Sequence, residues 1–89
     1  MRFEWNHKKA ELNLRRHGVS FEEAKTVFED SFFLIFRDDR CVTEQRFIIT
    51  GESIQRRLLV VAYCERGNRT RIISARLATR RERSIYEEV

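Results

Sequence analysis

The spacing of apolar residues changes near residue 31 of this 89-residue chain, and that change constrains the fold more than any other feature. Before it, four apolar residues recur at the three- and four-residue spacing of an α-helix: Phe21, Ala24, Val27 and Phe28. After it come short runs rich in Phe, Ile and Val, separated by turn residues, which is typical of strands joined by hairpins. The pattern predicts helices early in the chain and a sheet later.

Capping residues mark the predicted helices. Asn6 caps a first helix, which Gly18 ends. The motif SFEE at 20–23 is a capping box, with a serine at the N-cap and a glutamate reaching back, for a second helix over about 21–30. A second box, TRRE at 79–82, starts a last helix that runs to about residue 88.

The predicted strands cover 2–5, 32–36, 44–50, 57–64 and 71–76. With the helices they give the order β-α-α-β-β-β-β-α. Hairpin connections imply an antiparallel meander, so we expect one α+β domain over 1–89, with two N-terminal helices and a C-terminal helix on one face of the sheet.

Positive charge is concentrated in the second half of the chain. Residues 1–39 carry a net charge of −1 and residues 40–89 a net charge of +5. All the cations after residue 39 are arginines, which bind phosphate bidentately and stack on bases. This composition indicates a polyanionic partner such as nucleic acid. Codon usage in a GC-rich genome is the alternative explanation.

Several classes of site are missing from the sequence. It contains no P-loop, no dinucleotide fingerprint and no nucleophile elbow. Neither a carboxylate cluster for Mg²⁺ nor a His/Cys set for Zn²⁺ is visible, so we expect no metal and no cofactor. Cys41 and Cys64 are interpreted as free thiols. Without an apolar leader or membrane span, the protein is expected to be soluble and cytoplasmic, with no membrane partner.

Metal-free acid–base chemistry on RNA fits what remains, because RNA supplies its own 2′-hydroxyl nucleophile. Strand alternation places Ser74 and Arg76 on one face together with Ile72, and Arg71 on the other. If Arg46 shares the face of Arg76, the two would bind phosphate, beside the positive N-terminus of the last helix.

Each candidate also has a structural interpretation. Arg83 and Tyr86 are neighbours on one face of the last helix, but Arg83 could instead pair with Glu87. Tyr86 could be a core-edge residue, Ser74 a buried hydroxyl and His17 a cap of helix carbonyls. The remaining structural expectations are these: Arg46 pairs with Glu44, residues 38–40 form a solvated turn, and Ile85 and Val89 are the buried contacts of the last helix.

The segments FEWNHKKAELNLRRHGVSFEEAKTVFED and RIISARLATRRERSIYEE, at 3–30 and 71–88, resemble the BrnT toxin family of type II toxin–antitoxin pairs. The resemblance implies a RelE-like fold and a metal-independent endoribonuclease that arrests growth. It also implies a BrnA-type antitoxin that neutralises the toxin and represses their operon.

The family motifs fall on particular residues of this chain. The S-A-R motif matches Ser74 and Arg76, the E-R…Y motif Arg83 and Tyr86, the K-H-G histidine His17, and the lysine after the tryptophan Lys9. The chain departs from the pattern at four positions: Asn6 replaces Asp, Ser31 replaces Pro, Arg56 replaces Gly, and Gln45 separates Glu44 from Arg46.

The sequence supports a ribonuclease toxin as the first hypothesis. The predicted catalytic residues are Arg76, Arg83, Tyr86 and His17, and the predicted RNA-binding residues are Arg46, Ser74, Lys9 and Arg80. Tyr86 or His17 would transfer the proton, since arginine stays protonated. The alternative is a non-catalytic interaction module or co-repressor that binds a small antitoxin-like DNA-binding partner. Direct DNA binding is a weaker alternative, since no helix-turn-helix or zinc motif is visible.

Overall fold

A computed structural model describes residues 2–40 and 42–88. Its elements, in chain order, are β1 (Arg2–Glu4), α1 (His7–His17), α2 (Phe21–Ala24), a 3₁₀ helix (Lys25–Glu29), β2 (Leu34–Asp38), β3 (Arg46–Glu52), β4 (Leu58–Arg66), β5 (Arg69–Leu77) and α3 (Arg80–Glu87). The strands, α1 and α3 follow one another in the predicted order, whereas a short α2 and a 3₁₀ helix occupy the place of the predicted second helix. The predictions for Cys41 and Val89 lie outside the described residues, and Cys64 is a free, buried thiol.

The sheet is mixed, and the prediction of a purely antiparallel meander is wrong. Its strand order is β1-β5-β4-β3-β2. Strands β2 to β5 form the expected antiparallel meander, but β1 pairs in parallel with β5, with Phe3 opposite Thr70. Helical chain separates β1 from β2, so no hairpin dictates the direction in which β1 pairs.

The second helix is shorter than predicted. Ser20 caps α2 by accepting a hydrogen bond from the Glu23 amide, but the α-helical part ends at Ala24 and a 3₁₀ helix follows. The Thr26 hydroxyl donates to the Glu23 carbonyl at 2.7 Å. Bonds of this kind compete with the regular helical ladder and favour the tighter turn.

The hydrophobic core lies between the first helices and one face of the sheet. Val19, Phe21, Ala24 and Val27 are almost fully buried there, against Ile49, Leu59, Val61, Tyr63, Ile72 and Ala75. The Phe28 ring packs edge-on against Tyr63, with centroids 5.0 Å apart. The predicted apolar face of the second helix is therefore confirmed.

The opposite side of the sheet, called here the second face, carries the polar candidates. Cross-strand pairing defines three rows on it: Leu34, Thr50, Val60 and Arg76; Phe36, Ile48, Ala62 and Ser74; Asp38, Arg46, Cys64 and Arg71. Helix α3 lies on this face, where Ile85 and Glu82 line a cleft with Leu34 and Thr50. The expectation that all helices cover one face is therefore wrong. Ile85 is 42% exposed rather than buried.

Candidate functional site

Strand β5 contains an irregularity that rearranges the predicted faces. Ser74 pairs with Ala62 while Ile72 pairs with the next residue of β4, Tyr63, so Ile73 is one residue too many. This is the arrangement of a β-bulge. Ile72 consequently faces the core, whereas Arg71 joins Ser74 and Arg76 on the second face. The predicted grouping of Ile72 with Ser74, and of Arg71 on the other face, is therefore wrong.

Helix α1 is held against β5 by the side chain of Asn13. Its amide nitrogen donates to the carbonyls of Ala75 and Val19, at 2.8 and 2.9 Å, and its oxygen accepts from the Ala75 amide at 3.1 Å. Because β1 pairs only with Arg69 to Arg71, Asn13 takes the place of a neighbouring strand further along β5. Asn13 follows Ala10 by three positions, so helical spacing on the apolar side of α1 was the sequence signal for this contact.

A cavity of about 290 Å³ lies where α1 meets β5. Its lining includes Lys9, Arg16 and His17 from α1 and Ser74 from the bulged strand. Arg16 and His17 follow Lys9 by seven and eight positions, which places all three on one side of α1. The fold thus brings together three predicted site residues, Lys9, His17 and Ser74, and adds Arg16, which the sequence analysis did not single out.

The arginines predicted on the second face share that face but are bound to carboxylates. Arg76 donates to both oxygens of Glu82, at 2.7 and 2.9 Å, and to the Leu77 carbonyl at 3.2 Å. Arg46 binds Glu44 at 3.3 Å, the surface pair that the sequence suggested. The positive charge of the expected phosphate-binding face is therefore largely neutralised by acidic side chains.

Arg76 nevertheless retains donor groups. Three of its N–H bonds are used, and an arginine carries five. Its Nε has no acceptor among the residues that the structure describes. The pKa of Glu82 is lowered to about 2, chiefly by the hydrogen bonds from Arg76, and the same bonds raise the pKa of Arg76. The pair is thus fully charged at neutral pH, with one edge of the guanidinium unused.

Arg40 is a further cation close to this arginine. Asp38 ends β2, and its side chain, only 8% exposed, accepts two hydrogen bonds from Arg40 at 2.8 and 3.0 Å. These bonds lower the pKa of Asp38 to about 2. The positive charge of Arg40 acts to lower the pKa of Arg76, against the larger raising effect of Glu82. Asp38 is therefore part of the second face rather than of a solvated turn, as its alternation with Leu34 and Phe36 would have indicated.

The candidates on α3 lie apart from the cavity. Arg80 and Arg83 are exposed, and within residues 42–88 no ion pair joins Arg83 to Glu87. The Tyr86 hydroxyl donates to Asp30 at 2.5 Å. Burial and this bond raise the pKa of Tyr86 to about 12. Tyr86 therefore fastens α3 to the segment before β2, and its proton is poorly placed for transfer near neutral pH.

No group of three or more His, Cys, Asp or Glu side chains that could hold a metal ion occurs within residues 2–40 and 42–88. Over the same residues, no helix has the length and apolar character needed to cross a membrane.

Comparison with known proteins gives a family and a fold. The model of the family described as "Ribonuclease toxin, BrnT, of type II toxin-antitoxin system" matches residues 5–82. The crystal structure of the Brucella abortus ribonuclease toxin, BrnT, superposes with a TM-score of 0.72. The two chains are 20% identical over 90% of this chain and 99% of the other. No curated protein matches the sequence.

Proposed function

The chain belongs to the BrnT family of ribonuclease toxins of type II toxin–antitoxin systems, and from that premise we propose that it cleaves RNA without a metal ion at the cavity between α1 and β5. Membership implies a toxin with an antitoxin partner. The observation that supports this location is the meeting of His17, Lys9, Arg16 and Ser74 around one cavity. A RelE-like fold and a cytoplasmic site of action, where the RNA is, belong to the same proposal.

The proposed reaction is an internal transfer within RNA. The 2′-oxygen loses its proton to His17 and forms a bond to the adjacent phosphorus, while the bond from phosphorus to the 5′-oxygen breaks. An imidazole suits the task because it exchanges protons near neutral pH. The leaving 5′-oxygen takes up a proton from water, and His17 then releases its own proton to the solvent. The products are a 2′,3′-cyclic phosphate and a 5′-hydroxyl.

The cations of the cavity supply charge stabilisation. Lys9 and Arg16 neutralise the negative charge that grows on the non-bridging oxygens, and Ser74 donates a hydrogen bond. Ser74 lies two residues from Arg76 on β5, so the unused guanidinium edge extends the same surface. Arg46, Arg80 and Arg83 are proposed to contact phosphates farther along the RNA. His17 has better support as the proton-transfer group than Tyr86, whose hydroxyl is bound to Asp30.

Cleavage of total RNA in excess EDTA tests this proposal. We expect the wild-type protein to cut RNA, and His17→Ala to lose roughly 10²- to 10⁴-fold in rate, the usual contribution of acid–base catalysis. His7→Ala is the matched control, because His7 is also exposed and begins the same helix that His17 ends. Equal rates for His17→Ala and wild type would refute the role of His17, and loss of all cleavage in EDTA would refute metal independence.

A BrnA-type antitoxin that neutralises the toxin and represses the shared operon is the proposed partner. The alternative function, a non-catalytic interaction module or co-repressor, has one observation in its favour. Several arginines of the second face are already bound to carboxylates, which reduces their availability for RNA. A folded protein that binds the antitoxin but leaves every RNA intact, including RNA on ribosomes, would favour this alternative.

A further inference from the structure

Strand β2 is an exposed apolar edge. It is the last strand in the sheet order, and within the described residues nothing pairs with its outer side. The side chains on both of its faces remain accessible: Ile35 is 46% exposed on the core side and Phe36 49% exposed on the second face. Phe33, just before the strand, is 41% exposed. A sheet edge that is apolar on both faces is unusual, because it invites pairing with another chain.

The usual protections of an edge strand are weak in β2. Charged side chains can protect an edge strand, but Arg37 is the one cation within Leu34–Asp38, and it is paired with Asp39 at 3.2 Å. In an antiparallel pair alternate residues direct their N–H and C=O groups away from the partner strand. The outer side of β2 therefore presents backbone donors and acceptors between apolar side chains.

An apolar cleft of about 230 Å³ adjoins this edge on the second face. Leu34, Phe36 and Ile48 form its floor, and Ile85 of α3 forms one wall. A large apolar side chain from a strand placed beside β2 would reach this cleft. Specificity from side-chain pockets beside a paired edge is the usual pattern of strand addition.

We propose that the antitoxin docks on β2 by adding an extended segment as a sixth strand of the sheet. The identity of this occupant rests on the proposed function, since the family provides the partner. The segment would alternate apolar residues that cover Ile35 and Phe36. Asp39 and Asp38 neutralise Arg37 and Arg40 at this edge, but the whole chain has a net charge of +4. An acidic partner is therefore favoured over a second copy of this basic chain.

Binding of the antitoxin encoded beside this chain's gene tests the proposal. We expect Ile35→Lys and Phe36→Lys each to raise the Kd roughly tenfold to a hundredfold, because the wild-type side chain at each position is large, apolar and buried in the complex. Ile54→Lys is the matched control: Ile54 is 78% exposed but lies in the turn between β3 and β4. Circular dichroism and thermal unfolding of the three variants establish that each is folded.

Hydrogen exchange distinguishes strand addition from other docking modes. Amides of β2 should exchange more slowly in the complex, while those of β5 should not change. Unchanged affinity in both lysine variants, no binding by the wild type, or protection confined to α3 would each overturn the proposal. Sedimentation showing that Ile35→Lys dissolves a wild-type dimer without affecting antitoxin binding would assign the edge to a second copy instead.

The same variants separate this inference from the ribonuclease assignment. Ile35 lies on β2, three strands away from β5 in the sheet, and is not among the residues that line the cavity of His17. Ile35→Lys should therefore cleave RNA like wild type and escape neutralisation. Antitoxin binding without any RNA cleavage would refute the enzyme and leave the docking site intact.

Discussion

Arg76 on β5 donates two hydrogen bonds to the carboxylate of Glu82 on α3, at 2.7 and 2.9 Å. Glu82 also accepts from the Thr79 amide and completes the capping box of α3. The Glu82 carboxylate thus orients Arg76, the side chain that was predicted to bind phosphate, and also caps the start of α3. Since α3 contains no buried residue among Arg80–Glu87, polar contacts of this kind hold it on the sheet.

The first prediction concerns acid stability. The pKa of Glu82 in the folded protein is about 2, below its ordinary value of 4.5. A lowered pKa stabilises the fold above about pH 4.5, and that stabilisation is lost as the pH falls towards 2. We expect Glu82→Gln to lower the free energy of unfolding by about 1–2 kcal/mol at neutral pH, a value discounted for partial exposure, and by less at pH 2. Urea unfolding across this range measures it. Glu87 is an exposed residue of the same helix, so Glu87→Gln should have the same free energy of unfolding as wild type at each pH. If Glu82→Gln also matched wild type, the Arg76–Glu82 pair would contribute nothing to stability.

The second prediction separates anchoring from catalysis at Tyr86. Tyr86→Phe removes the hydrogen bond to Asp30, whose carboxylate still accepts from the amides of Glu52 and Phe32. We expect a loss of about 1.5–3 kcal/mol in unfolding free energy, as for a bond to a charged group. Loss of an acid–base group lowers rates by roughly 10²–10⁴-fold. Since Tyr86 is an anchor and not such a group, the rate of RNA cleavage should change by less than about tenfold. A folded Tyr86→Phe protein with a larger loss would restore Tyr86 as a catalytic candidate.

The third prediction concerns a buried ion pair beneath the turn after β3. Glu23, 4% exposed, binds Arg57 bidentately and accepts from the Ser53 hydroxyl at 2.6 Å. These contacts lower the pKa of Glu23, with the hydrogen bonds from Arg57 as the largest cause. Arg57→Ala would leave a buried carboxylate without its cation and should destabilise the fold by about 2–3 kcal/mol, since Arg57 is partly exposed. Thermal unfolding checks this, and Arg15→Ala, at an exposed surface pair, should have little effect. Equal melting temperatures would contradict the role of the pair.

The fourth prediction uses two adjacent arginines of α1. Arg16 lines the cavity, whereas Arg15 pairs with Glu11 on the surface. Arg16→Ala should weaken binding of a 2′-O-methyl RNA and reduce the slope of log Kd against log salt by roughly 0.7, the value for one phosphate contact on a single strand. Arg15→Ala should leave that slope unchanged. Fluorescence anisotropy measures both, and equal slopes for the two variants would place the RNA elsewhere.

The fifth prediction concerns backbone strain at Arg56. This residue has a φ of +65°, in the left-handed region that favours glycine. Arg56→Gly should raise the free energy of unfolding by about 0.5–1 kcal/mol, because relief of the strain exceeds the entropy lost by glycine. A lower melting temperature than wild type would show that the arginine side chain contributes a contact that offsets the strain.

Local signals predicted most of the elements. Asn6, Ser20 and Thr79 each cap a helix as expected, because N-capping depends on residues three apart in the chain. The Thr79–Glu82 capping box formed in full. In the Ser20–Glu23 motif the glutamate side chain instead binds Arg57, 34 residues away, because a buried carboxylate is more strongly stabilised by a cation.

The candidate site divides in the same way. Family motifs pointed to Lys9, His17 and Ser74, and the fold places all three around one cavity. Period-two alternation failed at Ile73, because a bulge inserts one residue and reverses the faces on either side of it. No alternation rule could have placed Arg71 on the second face.

The sequence by itself determined the capped helices, the apolar strands, the basic second half and the family motifs, since each depends on neighbouring residues or on their sum. Only the tertiary structure decided the pairing of β1 with β5, the placement of α3 on the second face, and the partners of Arg76, Tyr86 and Glu23. These contacts join residues distant in the chain or on separate elements, so packing and charge in three dimensions select them.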